Sequence, residues 1–193
     1  ETTLFHVLDQ TRTGMGGRLL RRRLLAPSIE VADINARLDA VESLYNATIL
    51  RAELAKDLAS ILDLERLLAK VSLASAGPRD LHALARSLAV IPSLKARIAD
   101  SASDRMLDIH GRMDEVADVR DRVLQTLADE PPVNLNDGGA IRAGVDAALD
   151  ELRDIALNGK TYLAQIEQPR ERAVRRRGDD QLIDEAHQRL PRR

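Results

Sequence analysis

The amino-acid sequence predicts an all-α fold of six to eight helices, several of them long. The composition is that of a helical protein, because Leu, Ala, Arg, Asp and Glu dominate a chain that is 44% hydrophobic and 31% charged. Aromatic side chains, which favour strands, are limited to Phe5, Tyr45 and Tyr162 in 193 residues. Apolar side chains also recur at spacings of three and four residues, the period of an amphipathic helix.

The same composition excludes several classes of protein. The absence of cysteine excludes a disulfide framework, a thiolate zinc site and a cysteine nucleophile. The scarcity of aromatics argues against folds that stack nucleic-acid bases on aromatic platforms. No uncharged apolar run is long enough to span a membrane, so we expect no membrane partner. The chain begins at Glu1 rather than Met, and we expect it to be an excised piece of a longer protein.

The first half of the chain reads as a series of amphipathic helices. Glycines at Gly14, Gly16 and Gly17 are expected to interrupt helical structure before a helix that starts at Arg18. Pro27 is expected to end that helix, since proline lacks the N–H that a helix interior needs. The predicted helical stretches are residues 3–9, 18–26, 28–45, 50–61 and 64–71.

The second half contains two predicted long helices. Gly77 and Pro78 are typical of a helix start, and Pro92 is expected to bend or end the helix that follows. Met106 to Leu127 is predicted to form one long helix, and residues 136–139 (Asn-Asp-Gly-Gly) a turn. The heptad stripe between Val145 and Ile166 predicts a second long helix. We expect the stripe to pack on the Met106 to Leu127 helix, or to stay exposed and promote self-association.

No motif in the chain predicts an active site. Gly159, Lys160 and Thr161 match the end of a phosphate-binding P-loop, but Asp154 stands where its first glycine belongs, and a heptad stripe replaces the required strand. The four histidines lack the spacing of a metal site. We therefore predict no catalytic residue, metal site or cofactor site, and no enzymatic activity for this chain alone.

Two arginine clusters are the remaining candidates for binding. Arg18 and residues 21–23 are read as a solvated surface with salt bridges, although a phosphate or partner contact is the alternative. The tail from Gln168 onward holds eight arginines and five acidic residues, so it carries +3 and the rest of the chain −5. This asymmetry fits electrostatic binding to nucleic acid, and it fits a disordered end equally well.

Ordered strings along the chain resemble the core, or lever, domain of the MutS family of DNA mismatch repair proteins. One is Asn158-Gly159-Lys160-Thr161-Tyr162-Leu163. The others are residues 3–9 with 11–22, 34–42, 63–70, 78–81, 129–132, 137–141 and 149–153. Two departures stand out: Arg23 occupies a place where the family commonly has Trp, and the sequence diverges after Arg172.

The resemblance implies a core/lever helical domain over residues 1–167, with the clamp and the ATPase of the family lying outside this chain. Residues 168–193 would be a divergent basic tail, poorly ordered or a truncated entry to the clamp. A role in contacting the DNA backbone is then predicted for five arginines of this tail: Arg170, Arg172, Arg175, Arg176 and Arg177.

In function, the resemblance implies a structural and coupling fragment of a mismatch repair protein. The intact family binds mismatched double-stranded DNA, uses ATP and magnesium, dimerises and works with a MutL-type repair partner. It would reside in a bacterial-type cytoplasm, associated with the nucleoid. The alternative is an independent helical domain that binds nucleic acid through its arginine-rich segments.

Overall fold

The computed structural model describes residues 3–159. These residues belong to two compact units, one ending at Arg142 and one beginning at Ala143. The all-α prediction is confirmed, because helices dominate the described residues and no strand occurs among them. The extended pairing found in this part of the chain is an isolated antiparallel bridge between Leu127 and Ile141.

The helices of the first unit are joined by short connections. In chain order they are α1 (Leu4–Leu8), α2 (Gly14–Leu25), α3 (Val31–Asn46), α4 (Thr48–Ala59), α5 (Leu64–Ser72), α6 (Pro78–Leu88), α7 (Ile91–Ile98), α8 (Asp104–Arg112) and α9 (Ala117–Thr126). A 3₁₀ turn at Leu135–Asp137 follows α9, and Gly138 and Gly139 after it have positive φ, which confirms the predicted turn. None of the described helices is long and apolar enough to cross a membrane.

The glycine-rich segment is helical, which corrects the prediction that it interrupts the helix. Thr13 lies in an extended conformation, and its side chain accepts a hydrogen bond from the backbone N–H of Gly16 at 3.0 Å. This cap satisfies one of the free donors at the helix N-terminus. Helix α2 therefore begins at Gly14 rather than at Arg18.

The predicted long helix from Met106 to Leu127 is also wrong, because the chain forms two shorter helices there. Helix α8 ends at Arg112, and Val116 adopts a left-handed conformation with φ 45° and ψ 45°. The carboxylate of Asp114 accepts a hydrogen bond from the Val116 N–H at 2.9 Å. Such a local side-chain bond competes with helical backbone bonding, so the apolar spacing continues across a break.

The start of α6 follows the prediction. Gly77 is its N-cap residue and Pro78 lies in its first turn. Pro92 neither bends nor ends this helix, because α6 already ends at Leu88 and Pro92 lies in the first turn of α7. Proline is tolerated there since the first-turn N–H groups have no intrahelical partner.

The main hydrophobic cluster lies between α4, α7 and α8. Its buried members are Leu54, Ile61, Leu94, Ile98 and Met106. Helix α3 packs against α4 and α8, while α6 packs against α5 and α9. The apolar core of the described residues is small. Hydrogen bonds and ion pairs between the helices therefore also help to hold the helices together.

In the second unit, residues 147–159 are helical. The carboxylate of Asp146 accepts hydrogen bonds from the N–H groups of Ala148 and Leu149, so the helix begins after Asp146 rather than at Val145. Val145, the first member of the heptad stripe, precedes this helix, and the members from Leu149 to Gly159 lie on it. Its last two members, Leu163 and Ile166, lie outside the described residues, as does the predicted domain boundary at residue 167, and the expected packing of the stripe stays a prediction.

Candidate functional site

The most specific polar arrangement in the first unit joins α2 to the start of α5. One terminal nitrogen of Arg18 donates to Asp63 Oδ2 and the other to Asp63 Oδ1, both at 2.7 Å, while Nε donates to Glu65 Oε2 at 3.0 Å. We call this contact the Arg18 junction. The Arg18 guanidinium lowers the pKa of Asp63 to about 2, and the two carboxylates raise the pKa of Arg18.

Local sequence explains why Asp63 is available for this contact. Asp63 is the N-cap of α5, where its carboxylate also accepts the N–H of Arg66 at 3.2 Å. Gly14, in the first turn of α2, lies close by: a Cβ there would be 3.1 Å from Asp63 Oδ2. The absence of a side chain at Gly14 therefore lets the capping carboxylate approach α2 closely.

A second junction joins α4 to α7. Nε of Arg97 donates to Asp57 Oδ2 at 2.7 Å, and a terminal nitrogen of Arg97 donates to Glu53. The hydroxyl of Ser93 donates to the same Asp57 oxygen at 2.8 Å. Hydrogen bonds from Arg97 and Ser93 hold the pKa of Asp57 below its usual value.

A third junction surrounds the N-terminus of α6. The Asp80 carboxylate accepts hydrogen bonds from Lys70 on α5 at 2.7 Å and from the Gly77 N–H at 3.1 Å, and both lower its pKa. Nε of Arg79 donates to the carbonyl of Pro131 at 3.0 Å. The loop that follows α9 is thus held against the start of α6.

Ser87 forms a buried polar link near the C-terminal end of α6. Its side chain is almost fully buried, its hydroxyl accepts the Leu62 N–H at 3.1 Å, and it donates to the Ala83 carbonyl at 2.9 Å. The hydroxyl therefore satisfies a backbone donor in the loop between α4 and α5, which would otherwise be left without a partner.

Arg142 is the last residue of the first unit, and its hydrogen bonds attach it to α9 and the loop after α9. Its backbone N–H donates to the Thr126 carbonyl at 2.8 Å, and its guanidinium donates to Asp129 at 2.7 Å and to the Leu124 carbonyl at 3.2 Å. The hydrogen bond from Arg142, together with its charge, lowers the pKa of Asp129. These contacts hold the chain end of the unit beside the C-terminus of α9.

The arrangement of these groups suits holding helices together rather than acid–base chemistry. Each carboxylate of the junctions is paired with a cation, and the described residues contain no cluster of three His, Asp or Glu side chains that could hold a metal ion. Gly159 lies in a helix, while Lys160 and Thr161 fall outside the described residues. The five tail arginines predicted to contact DNA, from Arg170 to Arg177, also lie outside them.

For each of two junctions, the sequence contains a signal for one of the two contacting segments only. Asp63 before Leu64 has the spacing of an N-cap, and Gly77 before Pro78 that of a helix start. Neither signal identifies the distant partner, which is Arg18 for Asp63 and Pro131 for the start of α6, because those contacts depend on how the helices pack.

The described fold and its junctions define a class of protein: a helical scaffold whose elements are held together by ion pairs between residues distant in the sequence. The sequence profile of MutS domain III matches residues 1–191, and the chain belongs to this family. It is similar to DNA mismatch repair protein MutS of Solibacter usitatus, with 60% identity over 167 residues, and to that of Symbiobacterium thermophilum, with 42% over 165. Pelotomaculum thermopropionicum MutS is 42% identical over 172 residues.

These alignments cover 86% of the chain for the first two relatives and 89% for the third. They cover 19% of the first two relatives and 20% of the third. The chain therefore spans about a fifth of the length of these relatives.

Proposed function

We propose that this domain III segment of a MutS-type mismatch repair protein acts as a structural and coupling element. The observation that carries the proposal is the Arg18 junction, which ties α2 to the start of α5 through four charge-assisted hydrogen bonds. Rigid elements joined in this way move together, so a displacement of one helix of the first unit would be passed to the helices linked to it.

The other junctions extend the same argument through the first unit. The Arg97 contacts join α4 to α7, the Asp80 contacts join α5 to α6, and Arg79 fixes the loop after α9. Helices that are distant in the sequence, α2 with α5 and α4 with α7, are thereby linked by directional contacts, as are the neighbouring helices α5 and α6. In this proposal, those contacts reduce independent motion of the helices.

The activities of the intact protein belong to the same proposal. The relatives are named DNA mismatch repair proteins, and by that likeness the intact protein would bind mismatched double-stranded DNA. It would use ATP with magnesium, dimerise and act with a MutL-type partner. The segment itself would supply no ATPase activity.

A chimera tests the coupling role. Solibacter usitatus MutS would receive this chain in place of its own matching segment, with Arg18→Gln as the test variant. Arg66→Gln is the matched control, because exposed Arg66 reaches the same Asp63 from within α5, at 3.4 Å. Mismatch-stimulated ATP turnover, basal turnover and affinity for mismatched DNA would be measured for each protein.

The proposal expects Arg18→Gln to reduce the stimulation by DNA several-fold, with basal turnover and DNA affinity close to those of the parent chimera. Arg66→Gln should leave all three quantities unchanged. Equal stimulation in the Arg18→Gln and parent chimeras would contradict a coupling role for this junction. Salt-dependent retention of the isolated chain on DNA would instead favour the independent nucleic-acid-binding domain.

A further inference from the structure

A basic cleft lies where α2, α3 and α8 meet. It has a volume of about 570 Å³, and its polar lining consists of Arg22, Arg23, Ser28, Arg37 and Arg105. We call it the four-arginine cleft. The arginines come from three helices that are separated in sequence, so the folded unit concentrates positive charge that no single segment carries.

The cleft holds more positive than negative charge. Arg37 forms an ion pair with Asp33 at 2.6 Å, and Arg105 lies 3.6 Å from Asp108. Within residues 3–159, Arg22 and Arg23 have no ion-pair partner. Four guanidiniums are therefore matched by two carboxylates, which leaves an excess of two positive charges.

One buried donor of the cleft lacks an acceptor, and the positive charges of the cleft act on one another. Nε of Arg37 is buried and has no hydrogen-bond partner among the described residues. A buried donor without an acceptor is costly, so such a group marks a place where an acceptor is missing. Partial desolvation of the exposed Arg23 side chain, together with the positive charges of Arg37 and Arg105, also lowers the pKa of Arg23.

The chemistry of the missing acceptor can be narrowed by charge and geometry. The Ser28 hydroxyl acts on the Asp33 carboxylate, whose pKa it lowers, so the guanidiniums are the main donors left for a ligand. One guanidinium group can donate two parallel hydrogen bonds to two oxygens of a phosphate. A phosphate monoester carries a charge of about −1.5 to −2 near pH 7. One such group would neutralise the excess charge, whereas a single carboxylate would neutralise half of it.

We infer that the four-arginine cleft is a binding site for a phosphate group. The inference does not depend on the coupling role, because it rests on the charges and donors of the cleft alone. The phosphate could come from a free phosphate compound or from a nucleic-acid backbone. Both sources offer phosphate oxygens to the guanidiniums, but each backbone diester carries one negative charge, so two neighbouring diesters would be needed to neutralise the excess. Experiment distinguishes the two sources.

Titration of the full 193-residue chain with pyrophosphate by calorimetry, at constant ionic strength set with chloride, tests the inference. The test variant is Arg22→Gln with Arg23→Gln, which changes two exposed side chains. The matched control is Arg86→Gln with Arg122→Gln, which removes two exposed arginines from α6 and α9, neither of them ion-paired in the described part of the chain. Circular dichroism would verify that both variants are folded.

Pyrophosphate should bind the parent chain and the control equally, and the cleft variant at least about tenfold more weakly, as expected for one lost charge-assisted hydrogen bond. Absence of binding to the parent, or equal weakening in the control, would overturn the inference. A glutamate-rich peptide that binds better than pyrophosphate would also overturn it, in favour of an acidic protein partner.

A DNA duplex then identifies the source of the phosphate. If the duplex binds the parent, is displaced by pyrophosphate and loses affinity in the cleft variant, the phosphate belongs to a nucleic-acid backbone. If pyrophosphate binds and the duplex does not compete, the site takes a free phosphate compound. Either result supports the inferred phosphate site.

Discussion

Arg18 holds both carboxylate oxygens of Asp63 at 2.7 Å, although the two residues are 45 positions apart in the sequence. Paired hydrogen bonds of this kind fix orientation as well as distance, since the planar guanidinium matches the carboxylate. The contact also involves the residue that caps α5. The start of one helix is thus positioned by a side chain from another.

The first prediction concerns the pH dependence of stability. The pKa of Asp63 is about 2 in the folded chain, below its ordinary value of 3.8. A lowered folded pKa stabilises the fold above the ordinary pKa, and that contribution is lost as pH falls from about 4 to about 2. Asp63→Asn should therefore melt at a lower temperature than the parent at neutral pH, and the difference should shrink in acid.

Thermal melts at several pH values, followed by circular dichroism, measure this difference. Asp39→Asn is the control, because Asp39 is exposed on α3 and has no ion-pair partner within the described residues. A gap between Asp63→Asn and the parent that stays constant from neutral pH to pH 2 would show that the ion pair does not stabilise the fold.

The second prediction concerns the buried hydroxyl of Ser87. Ser87→Ala removes the acceptor of the Leu62 N–H, and leaving a buried donor unpaired costs about 1–3 kcal/mol. The free energy of unfolding in urea should fall by that amount. Ser72→Ala, at an exposed position on α5, should change it by less than about 0.5 kcal/mol.

Hydrogen exchange gives this second prediction a local readout. The Leu62 amide should exchange faster in Ser87→Ala relative to the amides of α9, because its specific acceptor is missing. Unchanged relative protection of Leu62 would mean that another acceptor replaces the hydroxyl, and the predicted loss of stability would then have a different origin.

The helical class and many helix starts could be predicted from the sequence because they depend on neighbouring residues. Gly77 with Pro78 and Asp63 before Leu64 are local signals, and the structure contains both helix starts. The break between α8 and α9 was missed because the apolar spacing continues through it, while Val116 is an unfavourable residue for a left-handed conformation. The spacing of apolar side chains does not predict where a residue adopts a left-handed backbone conformation and ends a helix.

Only part of the four-arginine cleft could be predicted from the sequence. Arg22 and Arg23 are adjacent in the chain, so their cluster is visible there. Arg37 and Arg105 join them only after α3 and α8 pack together. The partners of a charged side chain depend on tertiary structure, which explains why the sequence favoured a solvated surface for these arginines.

The third prediction tests the close approach of the loop after α9 to α6. A Cβ at Gly77 would lie 2.6 Å from the Val133 carbonyl oxygen. Because that neighbour is backbone, Gly77→Ala should shift the loop and destabilise the chain by about 1–3 kcal/mol. Gly111→Ala is the control, since a Cβ at Gly111 meets nothing within 4 Å and alanine is the better helix former, which stabilises by about 0.5–1 kcal/mol.

Urea denaturation of both glycine variants distinguishes a specific clash from a general effect of adding a methyl group. Opposite signs for the two variants support the close approach of Val133 to Gly77. A stabilising Gly77→Ala would show that the loop and α6 are further apart than the structure places them.

The fourth prediction concerns the left-handed residue between α8 and α9. Val116 has φ 45°, a conformation that costs an ordinary L-residue about 1–2 kcal/mol and that asparagine adopts more readily. Val116→Asn should therefore stabilise the chain by up to about 1 kcal/mol, less what the half-buried valine contributes by packing.

Val119→Asn is the control, because it makes the same change at an exposed helical position on α9. It should be close to neutral, since valine and asparagine have similar helix propensities. Destabilisation by Val116→Asn in urea, with Val119→Asn neutral, would mean that the packing of Val116 outweighs its backbone strain.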